Sequence, residues 1–230
     1  DHGEVSFRDG TLQNQSGGDI EAVRHGSIKI EIANVTNGGE ILATDRGTVV
    51  VGATEWDNVS GGLIEAAHDG LIVFNRQSRV EAAHEGTVLF DRSYVDNQRH
   101  GTIEAKGWDS TVAFEHADVQ NHGRIDAENG GLVQFECSSV DNGRRGTIEA
   151  KGFGAAVAFA GSKVDNWGLL AAVFGGAVLL DDSLISNARG ASIDAADCGS
   201  QITFDHDLVD NSGQVDASQH GAILFESTAV

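Results

Sequence analysis

The chain has 230 residues, enough for one domain or one repeat array, and carries 15 Lys and Arg against 35 Asp and Glu, a formal charge of −20. That balance argues against nucleic acid as a partner, because binding a phosphate backbone needs a broad basic footprint. A hydrophobic content of 40% excludes a disordered acidic tail, because so apolar a chain buries a core.

Proline is absent and glycine is abundant at 30, which suits a turn-dense chain whose backbone N–H groups join hydrogen-bonded ladders. The longest apolar run, Leu169 to Leu180, is 12 residues and contains Gly175 and Gly176. That is too short to cross a bilayer, so no membrane insertion is expected. Methionine is absent as well, and the chain is expected to be a piece of a longer repeat protein.

In chain order, the first alternating segment is Val5-Ser6-Phe7, followed by Leu12-Gln13-Asn14 and Ile20-Glu21-Ala22. Period-two alternation signals a strand with one buried face. The same three phrases return at Ile28-Lys29-Ile30, Val35-Thr36-Asn37 and Ile41-Leu42-Ala43, and again at Val49-Val50-Val51, Trp56-Asp57-Asn58 and Ile64-Glu65-Ala66. A short coil follows, with only 16 residues from Ile64 to Val80, and no Asn stands at the ladder position, seven residues after Phe74. The spacing predicts that the third strand is deleted there and leaves a notch. From Asn97 onward the repeat is regular, with Asn121, Asn142, Asn166, Asn187 and Asn211 at gaps of 24, 21, 24, 21 and 24.

Three short strands in a unit of about 22 residues cannot enclose a core alone, but stacked units bury a continuous one. The chain therefore reads as all-β, a right-handed parallel β-helix (β-solenoid) with three short strands per coil and about ten coils of 21–24 residues. Residues 1–230 form a single domain in this reading, with the shortened coil near 64–80. Sequence alignment predicts vertical files of Ile, Ala, Val and Phe inside. It also predicts one ladder of buried amides, Asn37, Asn58, Asn97, Asn121, Asn142, Asn166, Asn187 and Asn211, each Asn satisfied by the next.

Several outward rows could carry function. The position between Ile and Ala is acidic in most coils, and Glu65, Glu81, Glu104, Asp126 and Glu149 form an expected cation row able to hold Ca²⁺. The outward positions Val50, Val73, Leu89 and Leu179 form an expected apolar face for self-association, alongside end-to-end association through open sheet edges. Trp108, Phe153 and Cys198 recur 45 residues apart at one corner and are expected to fold over or into the core's end and fill space. Cys137 and Cys198 fall on different edges and are expected to be free thiols. Glu104, Asp126 and Glu149 with Lys106, Arg124 and Lys151 imitate a polysaccharide-lyase cluster. Their repetition in successive coils argues for structure, since an active site is made once, and no enzyme is expected.

The phrases V-x-N-x-G-x-I-x-A and G-x-V-x-F, present as VQNHGRIDA at 119–127 and VDNSGQVDA at 209–217, resemble the repeats of filamentous-haemagglutinin-like and autotransporter-passenger β-solenoids. The 24/21 alternation departs from the more uniform repeat of that group. The resemblance implies an extracellular bacterial rod used in adhesion or display, with a glycan or host surface as partner and no catalysis. The alternative is a carbohydrate-binding or polysaccharide-cleaving β-helix.

Overall fold

A computed structural model describes residues 3–44, 48–51, 55–58, 63–66, 71–74, 79–83, 87–92 and 94–230. Among them every strand pairing is parallel, and the strands fall into one sheet of ten and one of eighteen. The chain is a β-solenoid. Each strand is short because only four or five alternating residues separate successive corner turns, as in Thr147–Lys151, Ala156–Ala160 and Lys163–Asn166. Among the described residues no helix is long and apolar enough to cross a membrane.

The solenoid has three faces, visited in strict rotation. Face A begins with the first half of Glu4–Asn14, and face B with its second half. Face C begins with Asp19–Val23 and is the ten-stranded sheet. Within each face the register is residue on residue. Ile103 lies beside Ile125 and Ile125 beside Ile148, while Ala105, Ala127 and Ala150 form the neighbouring file.

Among the described residues the short coil keeps a strand on each face, and here the expected deletion of the third strand is corrected. After Leu71–Phe74 on face A, the strand Arg79–Ala83 takes face B, where it pairs with Glu55–Asn58. Thr87–Asp91 then takes face C and pairs with Leu63–Ala66, and Tyr94–Asn97 takes face A and pairs with Leu71–Phe74. No face is skipped. Each sequence phrase instead moves round by one face, so Val80 lies beside Trp56, Phe90 beside Ala66 and Asn97 beside Phe74. Backbone pairing explains the outcome. A missing strand would orphan a whole row of N–H and C=O groups at the rungs above and below, and each buried orphan costs about 1–3 kcal/mol. Exchanging one apolar row for another costs less. One trace of the slip remains at Asn97, whose Oδ1 is buried and accepts no hydrogen bond among the described residues. The rung preceding it presents Phe74 where an Asn would stand.

This phase slip is directly testable. In a chain with Cys137 and Cys198 replaced by Ser, the pair Asp57→Cys and Glu81→Cys should close a disulfide on mild oxidation. The two are register partners, and neighbouring strands about 4.8 Å apart lie within disulfide reach. Glu65→Cys with Glu81→Cys should stay reduced. The opposite result would restore the uncorrected alignment.

The core is a column of rings flanked by small side chains. Phe90, Phe114, Phe135 and Phe159 stack at centroid distances of 4.9, 4.6 and 4.7 Å, which match the strand spacing. From face C to face A the chain bends through a single left-handed residue, seen at Arg92, His116, Cys137, Asp182 and His206 with φ between 46° and 55°. Each of these N–H groups donates to the next coil, as His116 does to Glu136 O at 2.9 Å. That bond helps offset a conformation most side chains avoid.

Candidate functional site

The asparagines form two ladders rather than one, because the phase slip moves them. Asn14 and Asn37 stack on face B, where Asn14 Nδ2 donates to Asn37 Oδ1 at 2.8 Å. Asn58 follows in register, and its side chain lies outside the described residues. On face A, Asn97 donates to Asn121 at 2.7 Å, Asn121 to Asn142 at 2.9 Å and Asn142 to Asn166 at 2.8 Å. The ladder continues from Asn166 to Asn187 at 2.9 Å and from Asn187 to Asn211 at 2.8 Å. Each second amide hydrogen goes to a backbone carbonyl beyond the corner, as Asn142 Nδ2 does to Leu169 O at 3.0 Å. From Asn97 to Asn187 each amide therefore holds the next coil at two points, its Asn and a carbonyl past its corner.

A second polar ladder escaped the sequence reading. Ala117 N donates to Ser138 Oγ at 3.0 Å, Ser138 N to Ser162 Oγ at 3.1 Å, and Ser162 N to Ser183 Oγ at 3.1 Å. Ser183 N then donates to Asp207 Oδ1 at 2.7 Å. The signal was present: after Ala117, a hydroxyl or carboxyl stands three residues after the Phe-row residue in each of these coils, at Ser138, Ser162, Ser183 and Asp207. Burial pushes the Asp207 carboxyl up to about 6, against the lowering effect of the N–H groups of Ser183 and Asp205.

The acidic row is divided by the slip. Glu65 belongs to face C and pairs with Leu89, whereas Glu81, Glu104, Asp126 and Glu149 are consecutive on face B. The side chains of Glu65 and Glu81 lie outside the described residues. Glu104 and Asp126 sit on the outward side of their strands yet are only 5% and 2% exposed. Their neighbours close over them. Arg124 contacts Asp126 and reaches Glu149 Oε2 at 2.7 Å. Lys106 lies 3.8 Å from both Glu104 and Glu128, and Lys151 lies 3.4 Å from Glu128. The row is thus threaded by the chain's own cations. Burial, then the nearby Glu149 and Glu104 carboxylates, push Asp126 up to about 8 despite Arg124. Among the described residues, three metal-ligand atoms within 4.8 Å of one another occur at Asp181, Asp182 and His206, all exposed, and not along this row.

The apolar strip is also divided. Val50 and Val73 pair on face A, while Leu89 and Leu179 belong to face C. The side chains of Val50 and Val73 lie outside the described residues. Leu89 is half-buried and Leu179 is exposed. Exposed leucines cluster instead near the last coils, at Leu179, Leu184, Leu208 and Leu224. Cys137 and Cys198 are free thiols.

The aromatic corner overturns another expectation. Trp108 is 63% exposed and Phe153 81% exposed, so neither fills the core. The Trp108 indole lies along the rod over two glycines: a Cβ on Gly130 would meet its Cδ2 at 2.6 Å and one on Gly154 its Cη2 at 2.5 Å. Phe153 meets the indole edge-on at 6.5 Å. One ring face is backed by backbone, and the residue is otherwise open to solvent.

No protein-family model matches the chain, and no curated protein matches it. Among solved structures it is similar to a crystal structure of a TibA fragment hyper-glycosylated by TibC catalysis. The alignment covers 96% of this chain and 97% of that chain, at 11% identity and a TM-score of 0.27. That likeness is too distant to carry a function across.

Proposed function

We propose that the chain is a non-catalytic structural segment of a secreted, surface-exposed bacterial rod, used for adhesion or display. The observation that carries this reading is the run of internal ladders. From Asn97 onward the same amides, with hydroxyls at a second corner, bond coil to coil. Such repetition makes length and stiffness along one axis. Of the face B carboxylates that resemble a lyase cluster, Glu104 lies against Lys106 and Asp126 and Glu149 against Arg124, while Lys151 pairs with the neighbouring Glu128, which is how a surface is neutralised. The repeat phrases that resemble adhesin solenoids point the same way.

A second reading has its own support. The Trp108 ring, flat against Gly130 and Gly154 and open to solvent, has the shape of a platform on which a sugar ring stacks. One experiment addresses both: a panel of acidic and neutral polysaccharides, read for turnover and for retention of the protein. Unsaturated products or new reducing ends would overturn the non-catalytic reading. Retention that disappears in Trp108→Ala, without turnover, would select the glycan-binding one.

A further inference from the structure

The alternation of repeat lengths builds a recess. At the corner from face A to face B, the turns Gln98-Arg99-His100-Gly101 and Gly143-Arg144-Arg145-Gly146 are long. Each is closed by a backbone bond, Gly101 N to Gln98 O at 2.8 Å and Gly146 N to Gly143 O at 2.7 Å. Between them the turn His122-Gly123 is two residues shorter, and Gly123 N donates directly to Asn121 Oδ1 at 3.2 Å. A short turn between two long ones leaves a gap one coil tall. The cavity there measures about 440 Å³.

Its lining is cationic. Arg99, His100, His122, Arg124 and Arg145 surround the gap with Thr102 and Thr147, and no carboxylate lines it. This inverts the sign of a chain whose formal charge is −20. Arg124 is held by Asp126 and Glu149. Arg99 and Arg145 are exposed and, among the described residues, have no carboxylate partner. The His122 ring packs against Gly143, where a Cβ would come within 3.0 Å of it, so the glycine lets the imidazole lie along the wall. The arrangement is made once: 45 residues further on, Trp167 occupies the place of His122.

We infer that this recess binds a tetrahedral oxyanion ester, a sulfate or phosphate carried on a small ring. Two guanidinium groups without carboxylate partners supply planar donor pairs suited to such an anion. The threonine hydroxyls and imidazole N–H groups complete the donor set. The cavity holds more than the anion, which leaves room for its carrier. The residues are exposed, so binding is weak and falls with added salt.

The test is a calorimetric titration of the intact chain with glucose 6-sulfate, glucose 6-phosphate and glucose. Both esters should bind and glucose should not, and the tighter ester identifies which chemistry the recess serves. Arg99→Ala/Arg145→Ala, shown to be folded by its melting curve, should weaken the ester at least about tenfold, the loss expected when charge-assisted hydrogen bonds are removed. Arg144→Ala removes a charge from the same turn but lies outside the lining and should leave affinity within about twofold. Failure of both esters to bind the unmodified chain would overturn the proposal. So would equal binding of glucose, or a loss in Arg144→Ala as large as in the double variant. None of these outcomes bears on whether the rod is catalytic.

Discussion

Asn142→Ala should destabilise the solenoid by roughly 3–5 kcal/mol, a large share of the stability of an ordinary domain. The side chain is fully buried. It accepts from Asn121 Nδ2 at 2.9 Å and donates to Asn166 Oδ1 at 2.8 Å and to Leu169 O at 3.0 Å. Truncation removes all three bonds, and each buried group left without a partner costs about 1–3 kcal/mol. Asn121 keeps its bond to Thr147 O, and Asn166 still accepts from the Gly168 N–H, which holds the total below the sum of three full losses. Asn142→Asp should be worse near neutral pH, because it turns a donor into an acceptor facing Asn166 Oδ1 and buries a charge. Asn211→Ala, at an exposed position where the amide oxygen accepts from Asn187 Nδ2 and from the Gly213 N–H, should cost about 1 kcal/mol, because water reaches the partners it leaves. Urea unfolding monitored by circular dichroism measures all three. A loss below about 1 kcal/mol for Asn142→Ala would mean that the ladder follows the fold rather than holding it.

Local pattern was legible in the sequence, whereas vertical alignment was legible only between breaks. Alternation gave the strands, and equal spacing gave the files of Ile103, Ile125 and Ile148 and of Asn121, Asn142 and Asn166. The reading failed where residue identity and backbone geometry disagree. It placed Val80 next to Ile64 because the phrases match, whereas the chain places Val80 next to Trp56 because three strands complete a coil. The interior tolerates the exchange where Ile, Val, Ala and Phe trade places, and bears its trace at Asn97, which follows Phe74 in register. The outward rows do not survive it, which is why Glu65 separates from Glu81 and Val73 from Leu89. Trp108 was misplaced for a different reason. Large aromatics usually fill cores, but two glycines in successive coils offer a flat external seat for its ring. That requires knowing which turns are adjacent. The recess at His122 has the same origin, since the alternation of 24 and 21 was visible as numbers while the gap it creates depends on stacking long turns about short ones.

Between pH 6 and pH 8 the parent chain should lose stability that Asp126→Asn retains. Asp126 is buried, and its carboxyl is pushed from the ordinary 3.8 up to about 8, first by burial and then by Glu149 and Glu104, with Arg124 acting against them. The folded state therefore holds this proton more tightly than the unfolded chain does. Stability from this group is fully present below about 4, declines as pH rises, and is lost once pH passes about 8. The slope for one proton is about 1.4 kcal/mol per pH unit. Asp207 contributes a slope of the same sign, but its carboxyl sits at about 6, so the interval above that belongs chiefly to Asp126 among the buried acids. Asn keeps the shape of Asp and an oxygen for Arg124 to bond, and it carries no proton to lose. The quantity to measure is the difference in melting temperature between parent and Asp126→Asn at pH 6 and at pH 8, since self-repulsion of a chain of charge −20 changes in both proteins alike. The gap should widen in favour of Asn as pH rises. A gap that stays constant would place the carboxylate in its charged form throughout, fully compensated by Arg124. The face B row would then be an ordinary chain of ion pairs rather than one closed over a protonated acid.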